Sequence, residues 1–147
     1  MHRKVAAALV VALALALASC GGGQKTETVS RAQLISRLEA ACLAGQREAR
    51  RQMREGGGEV AFAQAILANL KTISDKVANL ETTGPEKALF DTYKATLPTR
   101  IEALEKIVSA DRGDRQHVIE TQRVVIGAAG SKGHDAFLRL GARHFCV

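Results

Sequence analysis

Six apolar residues, Ala63, Ile66, Leu70, Ile73, Val77 and Leu80, follow one another at alternating spacings of three and four. That rhythm puts all six on one stripe of a helix, the seam by which one bundle helix packs on its neighbours. A half-buried strand would need a period of two, so the stretch excludes a sheet. Gln64, Lys71 and Asp75 fall on the opposite side. A single amphipathic helix cannot bury its own stripe, so the rest of the chain must supply matching faces. Composition agrees with helices as the source. Only 3% of the 147 residues are aromatic, Pro occurs twice, and much of the 46% apolar content is Ala and Leu. Such a chain suits an all-α domain rather than a sandwich or barrel, and its length suits one domain.

Three further helices can be read. The first starts at Ser30, a good N-cap, and buries Leu34, Leu38, Ala41, Cys42, Gly45, Ala49 and Met53. Gly56, Gly57 and Gly58 end it. The third starts at Thr83-Gly84-Pro85-Glu86, where Thr and Glu three apart read as a capping box. Its stripe is Phe90, Tyr93, Leu97, Ile101, Leu104 and Val108, with a kink expected at Pro98. The fourth follows Asp114 and turns Val118, Val125, Ala129, Ala136 and Leu140 inward. Gly127, Gly130 and Gly133 each weaken it by roughly 1 kcal/mol relative to Ala. Either it breaks near Gly130–Gly133, or these small residues admit a neighbour. Short connections between such helices predict an antiparallel up-down-up-down four-helix bundle over residues 29–147, with the first and fourth helices side by side.

The N-terminus carries a different message. Met1-His2-Arg3-Lys4 is followed by fourteen apolar residues, Val5 to Ala18, and then by Ser19 and Cys20. A basic start, a short apolar run and a small-residue junction make a secretory signal. The run is too short to span a bilayer, which takes about 20 residues. Leu17-Ala18-Ser19-Cys20 resembles the bacterial lipobox. The resemblance implies removal of residues 1–19, a diacylglyceryl thioether on Cys20, and in many bacteria one more acyl chain such as palmitate. Two or three chains anchor stably where one is marginal. Ordinary secretion with cleavage near Ala18 is the alternative. Residues 20–28, which include Gly21, Gly22 and Gly23, read as the lipidated Cys and a flexible tether. The protein is then extracytoplasmic, held at the cell membrane, or at the outer membrane of a Gram-negative cell. In such a compartment Cys42 and Cys146 favour a disulfide, since adjacent first and fourth helices would bring them together. Two buried thiols are the alternative.

The whole set resembles a loose group of actinobacterial lipoproteins with a small helical, single-disulfide domain. The shared pattern is the lipobox and tether, Glu39-Ala40-Ala41-Cys42, Leu80 with Pro85, and Leu140-Gly141 with Cys146. No activity comes with that resemblance.

Chemistry-bearing motifs are sparse. Arg47, Arg50, Arg51 and Arg54 stand at i, i+3, i+4 and i+7, opposite Leu38, Gly45 and Ala49, and form a face suited to anionic headgroups or cell-wall phosphates. A solvated face is the plainer reading, because Glu48 and Glu55 flank it. His117, His134 and His144, even with Asp135, lack the i,i+4 spacing of a helical metal site, so no metal is expected. Gly127 to Gly133 lacks the Gly-Lys-Ser/Thr ending of a phosphate loop, and no cofactor is expected. Arg112-Gly113-Asp114 reads as a turn, and nothing resembles a nucleophile elbow. The net charge of +6 does not point to nucleic acid in an exported chain with so few aromatics. A ligand pocket would lie beside Pro98 and the glycines of the fourth helix, lined by Tyr93, Leu97, Ile101, Val125 and Ala129. Close helix packing without a cavity is the alternative. The expectation is a non-enzymatic binding or structural module that takes an envelope protein, a glycan or an apolar ligand. An envelope enzyme with an unrecognised site is the runner-up.

Overall fold

The computed structural model describes residues 26–143. The signal-like segment 1–19, Cys20, the tether as far as Lys25, and His144 and Cys146 lie outside these residues. The order is β1 (Glu27–Thr28), α1 (Arg31–Arg54), α2 (Gly58–Ala78), β2 (Leu80–Glu81), α3 (Glu86–Ser109) and α4 (Arg115–Arg139). Among the described residues the fold is all-α, with one two-residue parallel pairing added to four helices.

Local chemistry explains the helix ends. Ser30 is extended, its hydroxyl accepts from the Gln33 N–H, and the Gln33 side chain accepts from the Ser30 N–H, a reciprocal cap. Gly56 and Gly58 take positive φ angles of 72° and 68°, which turns the chain from α1 into α2. The expected Thr83/Glu86 capping box does not form. α3 begins at Glu86, so Glu86 is its first residue rather than its third, and no side chain caps the helix. Glu86 pairs instead with Arg31 at 3.6 Å. Pro98 lies within a continuous α3 and faces solvent, where its missing N–H and its ring meet no neighbour from the core.

Four helix ends gather at one end of the molecule. β1 pairs with β2 in parallel, Glu27 opposite Leu80 and Thr28 opposite Glu81. The Glu27 N–H also donates to the Asn79 carbonyl at 2.7 Å, and the Val29 N–H to Glu81 at 2.8 Å. The fold therefore takes in two residues that composition assigns to the tether. Arg31 Nε donates to the Leu140 carbonyl at 2.9 Å, and the Arg143 N–H donates to the Glu39 carboxylate. These bonds tie the start of α1 to the end of α2, the start of α3 and the end of α4.

Contact runs from α1 to α2, α2 to α3 and, most extensively, α3 to α4. The expectation that α1 and α4 lie side by side is corrected: they do not pack along their lengths. Only the last turn of α4 and the residues after it reach α1, because the rest of α4 lies along α3. The core is built from Leu34 and Leu38 of α1, Leu70 and Ile73 of α2, Phe90, Tyr93 and Leu97 of α3, and Phe137 with Leu140 at the end of α4.

The inward side of α4 is partly as expected, since Ala136 and Leu140 are buried and Val118 packs against the core, but its remaining positions differ. Ile119, Ile126, Gly130, Gly133, Phe137 and Leu140 face the bundle, at spacings of seven, four, three, four and three. Val125 is turned to solvent and Val124 is 74% exposed. Met53, expected inside α1's stripe, is likewise exposed, because α1 runs one turn past the core at its C-terminal end.

Candidate functional site between α2, α3 and α4

The glycines of α4 divide the α3–α4 contact in two. A Cβ at Gly133 would stand 2.8 Å from Thr96 Oγ1, so the two backbones approach there as only glycine permits. Thr96 is buried and its hydroxyl donates to the Tyr93 carbonyl at 2.7 Å. One turn further toward the gathered end, the Tyr93 and Phe137 rings stand 5.4 Å apart at 45°. Burial pushes the Tyr93 hydroxyl up to about 12, with nearby Arg100 opposing the shift. On the other side of Gly133 the helices part. A Cβ at Gly130 or Gly127 would meet nothing within 4 Å.

The opened space is a cavity of about 480 Å³, within the ~300–1,000 Å³ of small-molecule sites. Its base is α3, through Arg100, Leu104 and Ile107, all buried. One wall is α2, from Glu59 through Phe62, Ala63 and Ile66 to Leu70. The other is α4, through Ile119, Ile126 and the bare backbone at Gly127 and Gly130. α2 and α4 both pack on α3 but not along one another, so the space is a trough open between them. Its lining is apolar except for Ser131 and three charged residues. Glu59 and Arg123 stand exposed at the rim, and Arg123 makes no ion pair among the described residues. Arg100 lies in the base, 2% exposed. Burial pulls its guanidinium below the usual range, partly offset by Tyr93. Holding a cation in so dry a place is costly.

Of the five residues expected to line a pocket, Tyr93 and Leu97 lie in the packed core and Ile101 packs against it. Val125 is exposed and Ala129 half-buried. None of the five borders the trough, although Gly127 and Gly130 do. The sequence reading missed Arg100, yet a signal was there. Tyr93, Leu97, Arg100, Leu104 and Ile107 are spaced four, three, four and three, so a cation interrupts an apolar stripe.

Arg47, Arg50, Arg51 and Arg54 are all exposed on α1. Arg51 is held by Glu48 at 2.6 Å and Glu55 at 3.5 Å. The Arg51 guanidinium, with Gln52 adding a second hydrogen bond, brings the Glu48 carboxyl down to about 2. Arg47, Arg50 and Arg54 make no ion pair among the described residues. Among those residues no three His, Cys, Asp or Glu side chains stand close enough to share a metal ion, and no helix is long and apolar enough to cross a membrane.

No family model matches the chain, and no curated protein or solved structure matches it. The functional reading therefore rests on the residues themselves.

Proposed function

We propose that the chain is an extracytoplasmic envelope lipoprotein, anchored through acyl chains on Cys20, whose helical domain is a non-enzymatic binding module for an apolar ligand. The trough between α2, α3 and α4 carries the binding part of this reading. It has the size of a small-molecule site, apolar walls, and no cluster of acid, base and nucleophile along them. The lipobox-like Leu17-Ala18-Ser19-Cys20 carries the anchoring part.

An antiparallel up-down-up-down course fits the short connections and the four helix ends gathered together. A Cys42–Cys146 disulfide belongs to the same reading. Cys42 is fully buried on α1, and the Arg143 N–H bonds to Glu39, one turn before Cys42. Three more residues, at up to ~3.5 Å each, bring the chain to Cys146 within reach of that turn. Closing so long a loop stabilises by roughly 4–5 kcal/mol in the chain-entropy account. The basic face of Arg47, Arg50, Arg51 and Arg54 lies toward the end of α1 away from the tether, so an anionic partner there would be met on the side facing away from the anchor.

The test has two parts. Metabolic labelling with a fatty acid should mark the native protein and not Cys20→Ser, which should appear in the medium or periplasm. Label on Cys20→Ser would overturn the anchor. Thiol counting on the unfolded, unreduced Cys20→Ser protein should find none, and two reactive thiols would overturn the disulfide.

A further inference from the structure

We infer that the trough takes a single-chain zwitterionic amphiphile, whose anionic group meets Arg123 and whose cationic group meets Glu59 at the rim, and whose chain lies between α2 and α4. The inference rests on the binding reading above and adds the ligand class to it. The rim charges carry it. Glu59 stands on one wall, in the first turn of α2, and Arg123 stands on the other, on α4. Both are exposed, and neither makes an ion pair among the described residues. Arg100 is closed off in the base at 2% exposure, interacts with Tyr93 in the core, and plays no part. The charges open to a ligand are thus one anion and one cation. A singly charged head pairs with one of them and is repelled by the other. An uncharged head pairs with neither, and a head that carries both charges pairs with both.

The two charges also stand at one end of the trough. α2 and α4 both bring their last turns to the gathered end of the molecule, where Asn79 meets β1 and Leu140 meets Arg31. At 1.5 Å per residue, Glu59 is about 30 Å from Asn79 along α2, and Arg123 is about 25 Å from Leu140 along α4. Leu70 and Gly130, at the other end of the trough, are only about 14–15 Å from the same two marks. Apart from Ser131, that inner end is apolar, with Ile66 and Leu70 on one wall and bare backbone at Gly127 and Gly130 on the other. An amphiphile has the same polarity along its length. Its head lies at the charged end, and its chain runs toward the Gly133–Thr96 contact that closes the trough. At about 480 Å³ the space is at the small end of ligand sites and suits one chain. The charged end is also the one further from the tether, so a ligand enters from the side away from the anchoring bilayer.

The experiment is calorimetric titration of the Cys20→Ser protein, which keeps every described residue, with dodecylphosphocholine, dodecyl phosphate and dodecyltrimethylammonium, each below its aggregation concentration and at low salt. An exposed ion pair is worth up to about fivefold in affinity, so dodecylphosphocholine should bind about fivefold tighter than either singly charged probe. Glu59→Gln should remove its advantage over dodecyl phosphate, and Arg123→Gln its advantage over dodecyltrimethylammonium. Both substitutions fall at exposed positions, so both variants should fold. Gly130→Leu should abolish binding of all three while the protein melts normally, since its Cβ meets open space. Equal affinity for the three probes, tighter binding of a singly charged one, or a preference that survives both charge substitutions would overturn the zwitterion inference while leaving an apolar site standing. No binding by any of the three would overturn the apolar-ligand reading itself.

Discussion

The two halves of α4 carry the same residue at the bundle face and do opposite things with it. At Gly133 the missing side chain lets α4 settle on Thr96, and from there to Leu140 the helix is core, with Ala136 and Phe137 buried. At Gly130 and Gly127 the missing side chains meet no neighbour, and the wall of a trough results. The difference lies in what faces each glycine. Opposite the first is a short, buried Thr. Opposite the others is the stretch of α3 from Arg100 through Leu104 to Ile107, which stands across the trough from them. A glycine in a helix is therefore a statement about its neighbour and has no fixed meaning of its own.

The closed half should set the alkaline limit of the fold. Tyr93 is fully buried and its hydroxyl is raised to about 12. An unfolded tyrosine ionises near 10, so between the two values the folded state holds a proton that the unfolded state has lost. The stabilising difference is fully present below pH 10 and is lost as pH rises toward 12. Two units correspond to on the order of 2–3 kcal/mol at the upper end. Melting temperature against pH should fall steeply across that window. Tyr93→Phe should start lower at neutral pH if its hydroxyl contributes there, but its curve should be flatter above pH 10. Parallel curves for the two proteins would show that Tyr93 is wetter than its burial implies.

A smaller effect should mark the closed contact directly. In Gly133→Ala the added methyl group meets Thr96 Oγ1, a stiff β-branched side chain already engaged with the Tyr93 carbonyl. Overpacking costs about 1–3 kcal/mol, less roughly 1 kcal/mol gained in helix propensity. The net expectation is a loss of up to about 2 kcal/mol, seen as a drop of up to several degrees in Tm. In a Thr96→Ala background the same substitution should become neutral or stabilising. A loss of equal size in both backgrounds would place the clash elsewhere.

Legibility from sequence follows the same division. The seam of α2 was readable because Ala63, Ile66, Leu70, Ile73 and Val77 face the core or border the trough; Leu80, expected as the sixth residue of that stripe, lies past the helix end in β2 and is buried from there. The caps were partly readable: Ser30 caps as its chemistry demands, whereas Thr83 does not, because Gly84 with φ of 70° resets the start of α3. The face of α4 was half-read: Val118, Ala136 and Leu140 pack inward as expected, but Gly130 and Gly133 have no hydrophobicity to register. Val125 supplied a stronger but misleading signal on the solvent side. The site was half-legible for the same reason. Glycines announced missing volume, but which of them border space depends on Thr96 and Arg100 across the interface, and periodicity along one helix does not report what stands on another.

The smallest predicted effect has the opposite sign and tests the open half. Gly130→Ala adds a methyl group where no heavy atom stands within 4 Å, so no packing penalty opposes it. It removes a flexible residue from the interior of a helix, which should stabilise by about 0.5–1 kcal/mol through backbone entropy and propensity. Thermal melts of wild type, Gly130→Ala and Gly133→Ala should therefore bracket the wild type, the first above it and the second below. The order matters more than the magnitudes, because both substitutions make the same change in helix propensity and differ in what lies across from them. If the trough closes in solution, the methyl at position 130 would meet α3, and Gly130→Ala would fall beside Gly133→Ala instead of above the wild type. That result would erase the difference between the two halves of α4 and the cavity with it.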